Sequence, residues 1–331
     1  MLRKISLLLV AFIVLFISII SLKLAFLGKN VNLEECKPYL LTSQHKKNIK
    51  LTFLGTSCFI IEHKGKQFMS DPFFSNPNIP SVIEGKMKHV ALNSLINDSL
   101  FSNVVMSTIS HGHYDHCFDI QQILKQATTI LADSSVFNQM HLITKNYTHQ
   151  FPLDFTPNSK WIYSTDSSFR VYPILSKHGP HFGKTVLFKG KYEKPVDELP
   201  DKLWEWKLGK GNYSYLVDVL DNDSIVFRMA LLYGDISDGE YAKIKSIYSE
   251  QKCDIVTCVF WKKKQNEPQI KIAMENTGAS VVLLNHWNNF FKGHDKPLQQ
   301  LRSSKLEKEL REFREENIPA YIMLPYSTVD L

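Results

Sequence analysis

The sequence has few cysteines and lacks the motifs of several common enzyme classes. Its five cysteines in 331 residues are too few and too scattered for a disulfide framework. No Gly-x-Ser-x-Gly, Gly-x-x-x-x-Gly-Lys-Ser/Thr or Cys-x-x-Cys motif is present, which excludes a serine nucleophile elbow, a P-loop and a thioredoxin-like pair. There is also no internal repeat and no long low-complexity stretch. The chemistry of this chain must therefore lie in other residues.

One short segment concentrates metal-binding side chains. Residues 111–116 read His-Gly-His-Tyr-Asp-His, so imidazoles and a carboxylate are crowded into one loop. Residues 104–109 before it are apolar and partly β-branched, which predicts a buried strand leading into this loop. Imidazole nitrogen and carboxylate oxygen are ligands of Zn²⁺ and related ions, and a surface loop without a metal is the less favoured alternative. The expected ligands are His111 and His113 for one metal, and Asp115 and His116 for a second.

Two metal ions need more ligands than this loop supplies, since about seven or eight protein ligands would leave room for a water between them. Three further strand-like runs, at residues 171–175, 229–232 and 280–284, each lead to a metal-binding side chain. The candidates that follow these runs are His178, Asp235 and His286. His181 follows the first run as well and is an alternative to His178, which is favoured because it comes first after the strand.

In this order, the motifs resemble those of the metallo-β-lactamase-fold hydrolase superfamily. The resemblance covers residues from about 51 to about 325 and includes an opening hairpin at residues 51–57 and 68–73. It implies an α/β fold, a four-layered αββα sandwich. The short motifs Asp-Pro-Phe, Gly-Asp-Ile and Asn-His-Trp are closest to the branch with ascorbate-6-phosphate lactonase and N-acylphosphatidylethanolamine-hydrolysing phospholipase D.

The resemblance also implies a role for each candidate. The implied ligands are His111, His113 and His178 for the first metal, Asp115, His116 and His286 for the second, and Asp235 as a bridge between them. Asp71 would be a buried acid behind the metal loop, because such acids orient histidine ligands and raise their basicity. His181 and Trp287 would lie around the ligands or face the substrate.

The ligand set indicates hydrolysis by a metal-activated water. Two cations beside one water lower its pKa from about 15.7 towards 7 and supply a hydroxide nucleophile at neutral pH. Asp115 would orient this hydroxide and accept its proton, and Asp235 would complete the catalytic centre between the metals. The expected cofactors are two divalent metal ions. Zinc is the favoured metal, although the same ligands accommodate Mn or Fe.

The predicted function is a membrane-tethered binuclear hydrolase, a phosphodiesterase with a lipid-like substrate. A lactonase or other ester hydrolase is the enzyme alternative, because the same metals polarise a carbonyl oxygen as well as a phosphoryl oxygen. A non-catalytic, metal-stabilised membrane binding protein is a further alternative, which the complete ligand set disfavours. The β-lactamases of the superfamily generally lack an acid at the position of Asp235, so antibiotic hydrolysis is not expected.

The N-terminus predicts a membrane anchor. Residues 5–22 are uncharged and apolar and follow Arg3 and Lys4, and at ~1.5 Å per residue they span about 27 Å, close to the ~30 Å bilayer core. The run exceeds the apolar region of a signal peptide, and no Ala-x-Ala-like site follows it. We therefore predict an uncleaved single-pass anchor at residues 1–27, a linker at 28–48 that gives reach rather than structure, and a catalytic domain at 49–331. The basic N-terminal flank favours an extracytoplasmic catalytic domain.

The charge balance agrees with these partners. The net charge of +6 suits an anionic membrane surface or a phosphate-bearing substrate. No RNA-binding module and no dense basic stripe are present, so nucleic acid is not expected as a partner. The expected partners are the membrane, through the N-terminal helix, and a small-molecule or lipid substrate.

Two segments outside the ligand motifs carry further predictions. Residues 183–215 are rich in aromatic side chains and lysine, so they are expected to form a lid over the metals, with Trp204 and Trp206 suited to a membrane interface. An equally favoured interpretation makes residues 204–206 part of a strand that packs one aromatic inward. Residues 296–317 have apolar side chains near helical spacing, which predicts an amphipathic packing helix.

Overall fold

The chain forms a mixed α/β structure around two β-sheets, as the sequence predicts. This computed structural model describes residues 28–91, 103–125, 128–146, 149–153, 160–181, 184–248, 251–260, 263–301 and 305–331. The strands are β1 (Lys29–Asn30), β2 (Lys50–Gly55), β3 (Cys58–His63), β4 (Lys66–Ser70), β5 (Val104–Thr108), β6 (Thr129–Ala132), β7 (Gln150–Pro152), β8 (Ile162–Tyr163), β9 (Phe169–Lys177), β10 (Asn212–Asp221), β11 (Ser224–Leu232), β12 (Asp235–Ile236), β13 (Ile255–Val259), β14 (Val281–Asn285), β15 (Gln299–Gln300), β16 (Ala320–Tyr321) and β17 (Ser327–Asp330). The helices are α1 (Leu33–Cys36), α2 (Ile79–Glu84), α3 (Tyr114–Cys117), α4 (Ser134–Gln139), α5 (His141–Thr144), α6 (Asp238–Tyr248), α7 (Lys263–Thr277) and α8 (Leu306–Glu315).

Each sheet combines an antiparallel part with a parallel part. The first sheet has the order β17-β2-β3-β4-β5-β6-β7, and its pairs from β4 to β7 are parallel. The second has the order β12-β9-β10-β11-β13-β14-β16, with β8 beside β9, and its pairs from β11 to β16 are parallel. Loops that follow the parallel strands collect at one edge of each sheet, and such edges are where α/β folds bind ligands.

The alternation of side chains along a strand divides the interior into two cores. In β3, Phe59 and Ile61 lie in the main core with Tyr215 and Leu231 of the second sheet, whereas Ile60 points into a separate cluster on the other face. That second cluster includes Val136 of α4. Helices α6, α7 and α8 add residues such as Ile244, Ala273 and Leu310 to the main core. Helices therefore pack on both sheets.

The structure of residues 28–48 differs from the flexible linker that the sequence predicted. Residues 28–48 contain β1 and α1, and Cys36 is fully buried in the main core. Strand β1 pairs with β15, and the isolated bridge from Leu40 to Ile322 ties the next part of the segment to the closing strands. The prediction of reach without structure was wrong for these residues, because scattered apolar side chains in a polar segment were enough to anchor it.

The predicted helix at residues 296–317 is also shorter than expected. The helix α8 runs over Leu306–Glu315, and Gln299 and Gln300 lie in β15 instead. The buried side chain of Gln300 accepts a hydrogen bond from the backbone N–H of Leu306 at 2.8 Å, so it satisfies a free donor at the first turn of α8. Residues 299–300 therefore pair with β1 instead of extending α8 towards the N-terminus.

The predicted anchor at residues 1–27 lies outside the described residues. Within the described part of the chain, no helix is long and apolar enough to cross a membrane. The five cysteines are all described, and each is free and buried. This agrees with the expectation that the fold does not depend on disulfides.

Candidate metal centre

The metal loop begins at the end of β5, a strand that is buried along its whole length. His111 and His113 lie in the loop, and α3 then carries Asp115 and His116. The loop passes close to another segment at Gly112, where a Cβ atom would lie 2.3 Å from the carbonyl oxygen of Lys207. Only glycine fits this approach, which explains its place between two histidines.

The first ligand group combines the loop with the end of β9. The ligand atoms of His111, His113 and His178 all lie within 4.8 Å of one another. The Nε2 atom of His111 is 3.0 Å from the Nδ1 atom of His113. Two nitrogens on one tetrahedral zinc at about 2.0–2.1 Å lie roughly 3.3 Å apart, so these two atoms are spaced for a shared ion.

Hydrogen bonds also prepare His178 as a ligand. Its Nδ1 atom lies 2.6 Å from the carbonyl oxygen of Gly179, which can only accept a hydrogen bond. The proton is therefore on Nδ1, and Nε2 keeps the lone pair that a metal needs. Burial, with the adjacent His181, lowers the pKa of His178 to about 3, so this ring is neutral at pH 7.

The second ligand group consists of Asp115, His116 and His286, whose ligand atoms also lie within 4.8 Å of one another. The Oδ2 atom of Asp115 is 3.3 Å from Nε2 of His286 and 3.7 Å from Nε2 of His116. The ring centroids of His111 and His116 are 4.0 Å apart, so the two groups adjoin. Five of the six ligands are buried and His178 is partly buried, so the site lies inside the fold rather than on its surface.

The backbone holds His286 in an unusual conformation. His286 has a φ of 59°, in the left-handed region that costs a residue with a Cβ of the order of 1–3 kcal/mol. Its N–H donates to the carbonyl oxygen of Thr56 at 2.6 Å, and the N–H of Thr56 donates to Asn288 Oδ1 at 2.8 Å. The turn between β2 and β3 therefore fixes the loop that carries this ligand.

Asp71 lies behind the second group and reaches the first only through Ser110, whose Oγ is 3.0 Å from His111 Nδ1. Asp71 is fully buried and accepts hydrogen bonds from Ser110 N at 2.6 Å, Ser110 Oγ at 2.8 Å and His116 Nδ1 at 2.7 Å. The last bond leaves Nε2 of His116 available to a metal. The resemblance implied a buried acid at this position, and the effect of Asp71 on metal binding stays a prediction. Sequence reasoning missed Ser110, although a small polar residue between a buried strand and the first histidine was a signal for it.

The protonation states of the loop ligands suit divalent metal binding. Burial lowers the pKa of His111 and His113 well below the usual histidine range. For Asp115, burial raises the pKa, but the adjacent His116 and His286 outweigh this effect and bring it below the usual range. The loop therefore offers neutral imidazoles in His111 and His113 and an ionised carboxylate in Asp115, which are the forms that bind metals. For His116, burial lowers the pKa, but the adjacent Asp71 and Asp115 outweigh this effect and raise it.

Asp235 lies outside both ligand groups. It is exposed in β12, where its Oδ1 accepts a hydrogen bond from Gln269. Its backbone pairs with Lys177, next to His178, and Gly234 packs so closely that a Cβ there would lie 2.1 Å from the Lys177 carbonyl oxygen. Asp235 and His178 also line one cleft of about 450 Å³. The bridging role of Asp235 stays a prediction.

The other two predicted residues differ in their surroundings. The ring of His181 stacks on that of His178 at 4.9 Å and lies 5.5 Å from that of His113. Trp287, in contrast, is fully buried in the main core. Phe290 contacts the centre in its place, with its ring centroid 5.2 Å from that of His286.

The segment at residues 184–211 covers part of the metal loop. The carbonyl oxygen of Leu208 accepts a hydrogen bond from Gly112 N at 2.9 Å, and the ring of Phe188 is 6.4 Å from that of His113. Trp206 is buried against the second core, whereas Trp204 is 45% exposed. These tryptophans lie in a turn rather than in a strand, but one of them does pack inward.

A buried acid that sequence reasoning missed fastens this segment. Asp133 accepts hydrogen bonds from the backbone N–H groups of Lys210 at 2.8 Å and Gly211 at 3.2 Å. It also accepts one from Val136 N at 3.0 Å and so caps the start of α4. An aspartate directly before a helix is a known capping signal, but its long-range contacts could not be read from the sequence.

The donor set fits two divalent ions. Five imidazoles and one carboxylate, divided into groups of three, leave open coordination positions, as in catalytic rather than structural sites. His111, His113 and His178 would hold one ion, and Asp115, His116 and His286 the other. Nitrogen-rich sites of this kind suit zinc and also accept manganese or iron.

Comparisons with known proteins address the fold. Residues 50–189 match the model of a family described as Beta-lactamase superfamily domain. A search of the curated proteins found no match. A novel metallo hydrolase from the hyperthermophilic archaeon Ignicoccus hospitalis is 16% identical, with a TM-score of 0.50, over 85% of this chain and 97% of that chain.

Two further solved structures resemble the chain. Isothiocyanate hydrolase from Delia radicum gut bacteria is 14% identical, with a TM-score of 0.51, over 85% of this chain and 99% of that chain. A diiron β-hydroxylase from Streptomyces venezuelae is 12% identical, with a TM-score of 0.52, over 86% of this chain and 55% of that chain. At these identities the likeness concerns the fold. Residues 50–189 are therefore similar to the Beta-lactamase superfamily domain, and the two sheets have a fold similar to that of these solved structures.

Proposed function

We propose that this protein is a binuclear metal-dependent hydrolase that acts on a phosphodiester. The observation that carries the proposal is that the two ligand groups adjoin. The ring centroids of His111, in the first group, and His116, in the second, are 4.0 Å apart. Two-metal hydrolytic sites hold their ions about 3.5–4 Å apart and use them on both sides of one reacting centre. A single structural metal would need only one such group.

The chain's own residues have distinct tasks in this proposal. Divalent ions at such a centre supply Lewis acidity and lower the pKa of water towards 7. Asp115, ionised at neutral pH, would orient the attacking water and accept its proton. Asp71 holds His116 in a fixed tautomer through the 2.7 Å hydrogen bond, and Asp235 is proposed to complete the centre from β12.

Charges near the centre support an anionic substrate. Lys177 and Lys210 line the same cleft as His178, and of its two carboxylates, Asp235 and Glu240, the first is proposed to bind the metals. Two cationic side chains beside a metal centre attract a phosphate-bearing molecule more than a neutral lactone. This favours the phosphodiesterase over the lactonase or other ester hydrolase, although the metal ligands themselves serve either reaction.

Exposed apolar side chains support a lipid-like substrate. Ile83, Leu199 and Trp204 are each at least 39% exposed, and the N–H of Leu203 donates to Val82 O, which joins the turn around Trp204 to α2. Trp204 is flanked in sequence by Lys202 and Lys207. An exposed tryptophan among lysines suits the interface of a bilayer.

The pairing of β1 with β15 limits the distance between the proposed membrane tether and the domain. The apolar run predicts an anchor at residues 1–27, and β1 then binds the chain to β15 of the domain from Lys29 onward. Little chain remains between the anchor and the domain. The domain is proposed to be extracytoplasmic. A single-pass anchor would therefore keep it close to the bilayer surface rather than at the end of a long flexible linker.

The first experiment combines metal analysis with hydrolysis by the purified full chain. We expect about two zinc ions per chain and turnover of bis(p-nitrophenyl) phosphate, followed by turnover of phospholipid vesicles. His111→Ala should remove both the turnover and at least one metal, whereas His294→Ala, an exposed histidine outside both groups, should leave them unchanged. Two metals with turnover of p-nitrophenyl acetate or a lactone alone would favour the ester-hydrolase alternative. Absence of metal after reconstitution with zinc would refute the proposal.

A further inference from the structure

Two stacked histidines beside the first ligand group make opposite hydrogen bonds. The rings of His178 and His181 lie 4.9 Å apart at an interplanar angle of 18°. His178 Nδ1 faces a carbonyl oxygen, that of Gly179, at 2.6 Å. His181 Nδ1 instead faces a backbone N–H, that of Leu187, at 3.0 Å. A carbonyl can only accept and an amide N–H can only donate, so the two rings hold their protons on different nitrogens.

This difference decides which ring suits a metal. A neutral imidazole carries one proton, and the Leu187 N–H requires the lone pair of Nδ1 in His181. The proton of His181 is therefore on Nε2, where it blocks metal coordination and makes that atom a hydrogen-bond donor. His178 has the reverse arrangement, with Nε2 left for the metal.

The structure also fixes the position of His181. Its own N–H donates to the carbonyl oxygen of Thr185 at 2.9 Å, so backbone and side chain are held by the same short turn. The ring lies 5.5 Å from the ring of His113, at the border of the first ligand group. A donor held in this way needs little reorganisation when charge develops next to it.

We propose that His181 donates its Nε2–H hydrogen bond to the substrate oxygen that gains negative charge during hydrolysis. This role rests on the proposed hydrolase function. In the reaction, the oxygen of water bonds to phosphorus or carbon and its proton passes to Asp115 and then to solvent. The bond to the leaving oxygen breaks, and the leaving oxygen takes a proton from solvent. His181 keeps its own proton throughout. The substrate must then carry an acceptor oxygen on the reacting centre, as phosphodiesters, esters and lactones do.

Kinetics of two variants of the full chain test the role. His181→Leu removes the donor, and we expect kcat to fall about 10²–10³-fold, the usual cost of one such donor, with a much smaller change in KM. His181→Gln offers an amide N–H at a similar reach and should recover at least part of kcat. Both variants should keep the metal content of the wild type, and His294→Leu serves as the matched control outside the centre.

Nitrogen NMR of the histidine rings provides a readout that is independent of turnover. With ¹⁵N-labelled histidine, the signals of His181 are those lost in His181→Gln. We expect a protonated Nε2 and an unprotonated Nδ1 in the metal-free and in the zinc-loaded protein. An unprotonated Nε2, or the loss of one metal ion in His181→Leu, would make His181 a ligand and overturn the proposal.

The two proposals fail in different ways. Wild-type turnover with unchanged kcat in His181→Leu would overturn the role of His181 and leave the hydrolase intact. Equal losses in the Leu and Gln variants would also count against the role, because a donor should be partly restored by the amide. A zinc-loaded wild type that hydrolyses none of the phosphodiester, ester or lactone probes would remove the proposed function and, with it, any catalytic task of His181, whatever tautomer the NMR shows.

Discussion

The two ligand groups lie side by side but are supported differently. The first has imidazoles alone, in His111, His113 and His178, whereas the second includes the carboxylate of Asp115. Behind the second group, buried Asp71 bonds to His116. Negative charge is therefore concentrated at one half of the centre. Metal binding by the second group therefore depends on the negative charge of Asp115 and Asp71, whereas metal binding by the first group depends on keeping its histidines unprotonated.

Loss of a ligand from either group should have the largest effect. We expect His113→Ala and Asp115→Ala each to lower the metal content from about two ions to one per chain. Activity should fall by more than the roughly 10–100-fold that loss of a supporting residue costs. Metal analysis and turnover of bis(p-nitrophenyl) phosphate measure both effects, with His294→Ala as control. Full metal content in either variant would show that the groups are not separate sites.

Asp235 tests whether the two halves share a ligand. If its carboxylate bridges the metals as proposed, Asp235→Ala should remove nearly all activity and lower the metal content. Gln269→Ala removes the hydrogen-bond partner that Asp235 has in the structure, and it should not reduce activity. An Asp235→Ala variant with both activity and metals retained would restrict the centre to the six ligands of the two groups.

Removal of the supporting acid should affect one half more than the other. Asp71→Ala removes the acceptor for Ser110 N, Ser110 Oγ and His116 Nδ1, so the second group should lose about 10–100-fold in metal affinity. Competition with a chelator measures the two affinities. Ser110→Ala removes the contacts of Ser110 Oγ with His111 and His116 but keeps the bond between Asp71 and His116, so it should weaken the second metal less. An equal loss of affinity for both metals in Asp71→Ala would contradict the conclusion that Asp71 supports mainly the second group.

Acid should weaken the first half when no metal is bound. Burial lowers the pKa of His178 to about 3, against an ordinary value of 6.5, so between these values the unfolded chain binds more protons there than the native chain. Stability therefore rises with pH across this window and falls as the pH drops below 6.5. From pH 6.5 to pH 5 the loss is about 1.6 kcal/mol, since each unit is worth about 1.4 kcal/mol once the unfolded histidine is fully protonated and about half of that at pH 6.5.

Urea unfolding of the metal-free chain at several pH values measures this loss. His178→Gln should reduce the pH dependence of the free energy of unfolding in this range, whereas His294→Gln should keep it. The same pH dependence in His178→Gln and the wild type would assign the acid sensitivity to other groups.

Much of the architecture was predictable because buried strands leave a strong signal. The apolar runs before the histidine loop, His178 and His286 correspond to β5, β9 and β14. Boundaries were less predictable. Residues 299–300 join β15 rather than the predicted helix, and residues 28–48 pack onto the domain, because in both places pairing with distant strands outweighs the local pattern.

The sequence by itself determined which residues can bind metal and the order in which strands deliver them. Residue chemistry and hydrophobic periodicity are local properties, so a single chain displays them. Only the tertiary structure decided that six of the seven predicted ligands form two groups, that Asp235 lies apart, and that His178 and His181 carry their protons on different nitrogens. These facts depend on hydrogen bonds to backbone groups and on distances between strands far apart in the chain, which no local pattern contains.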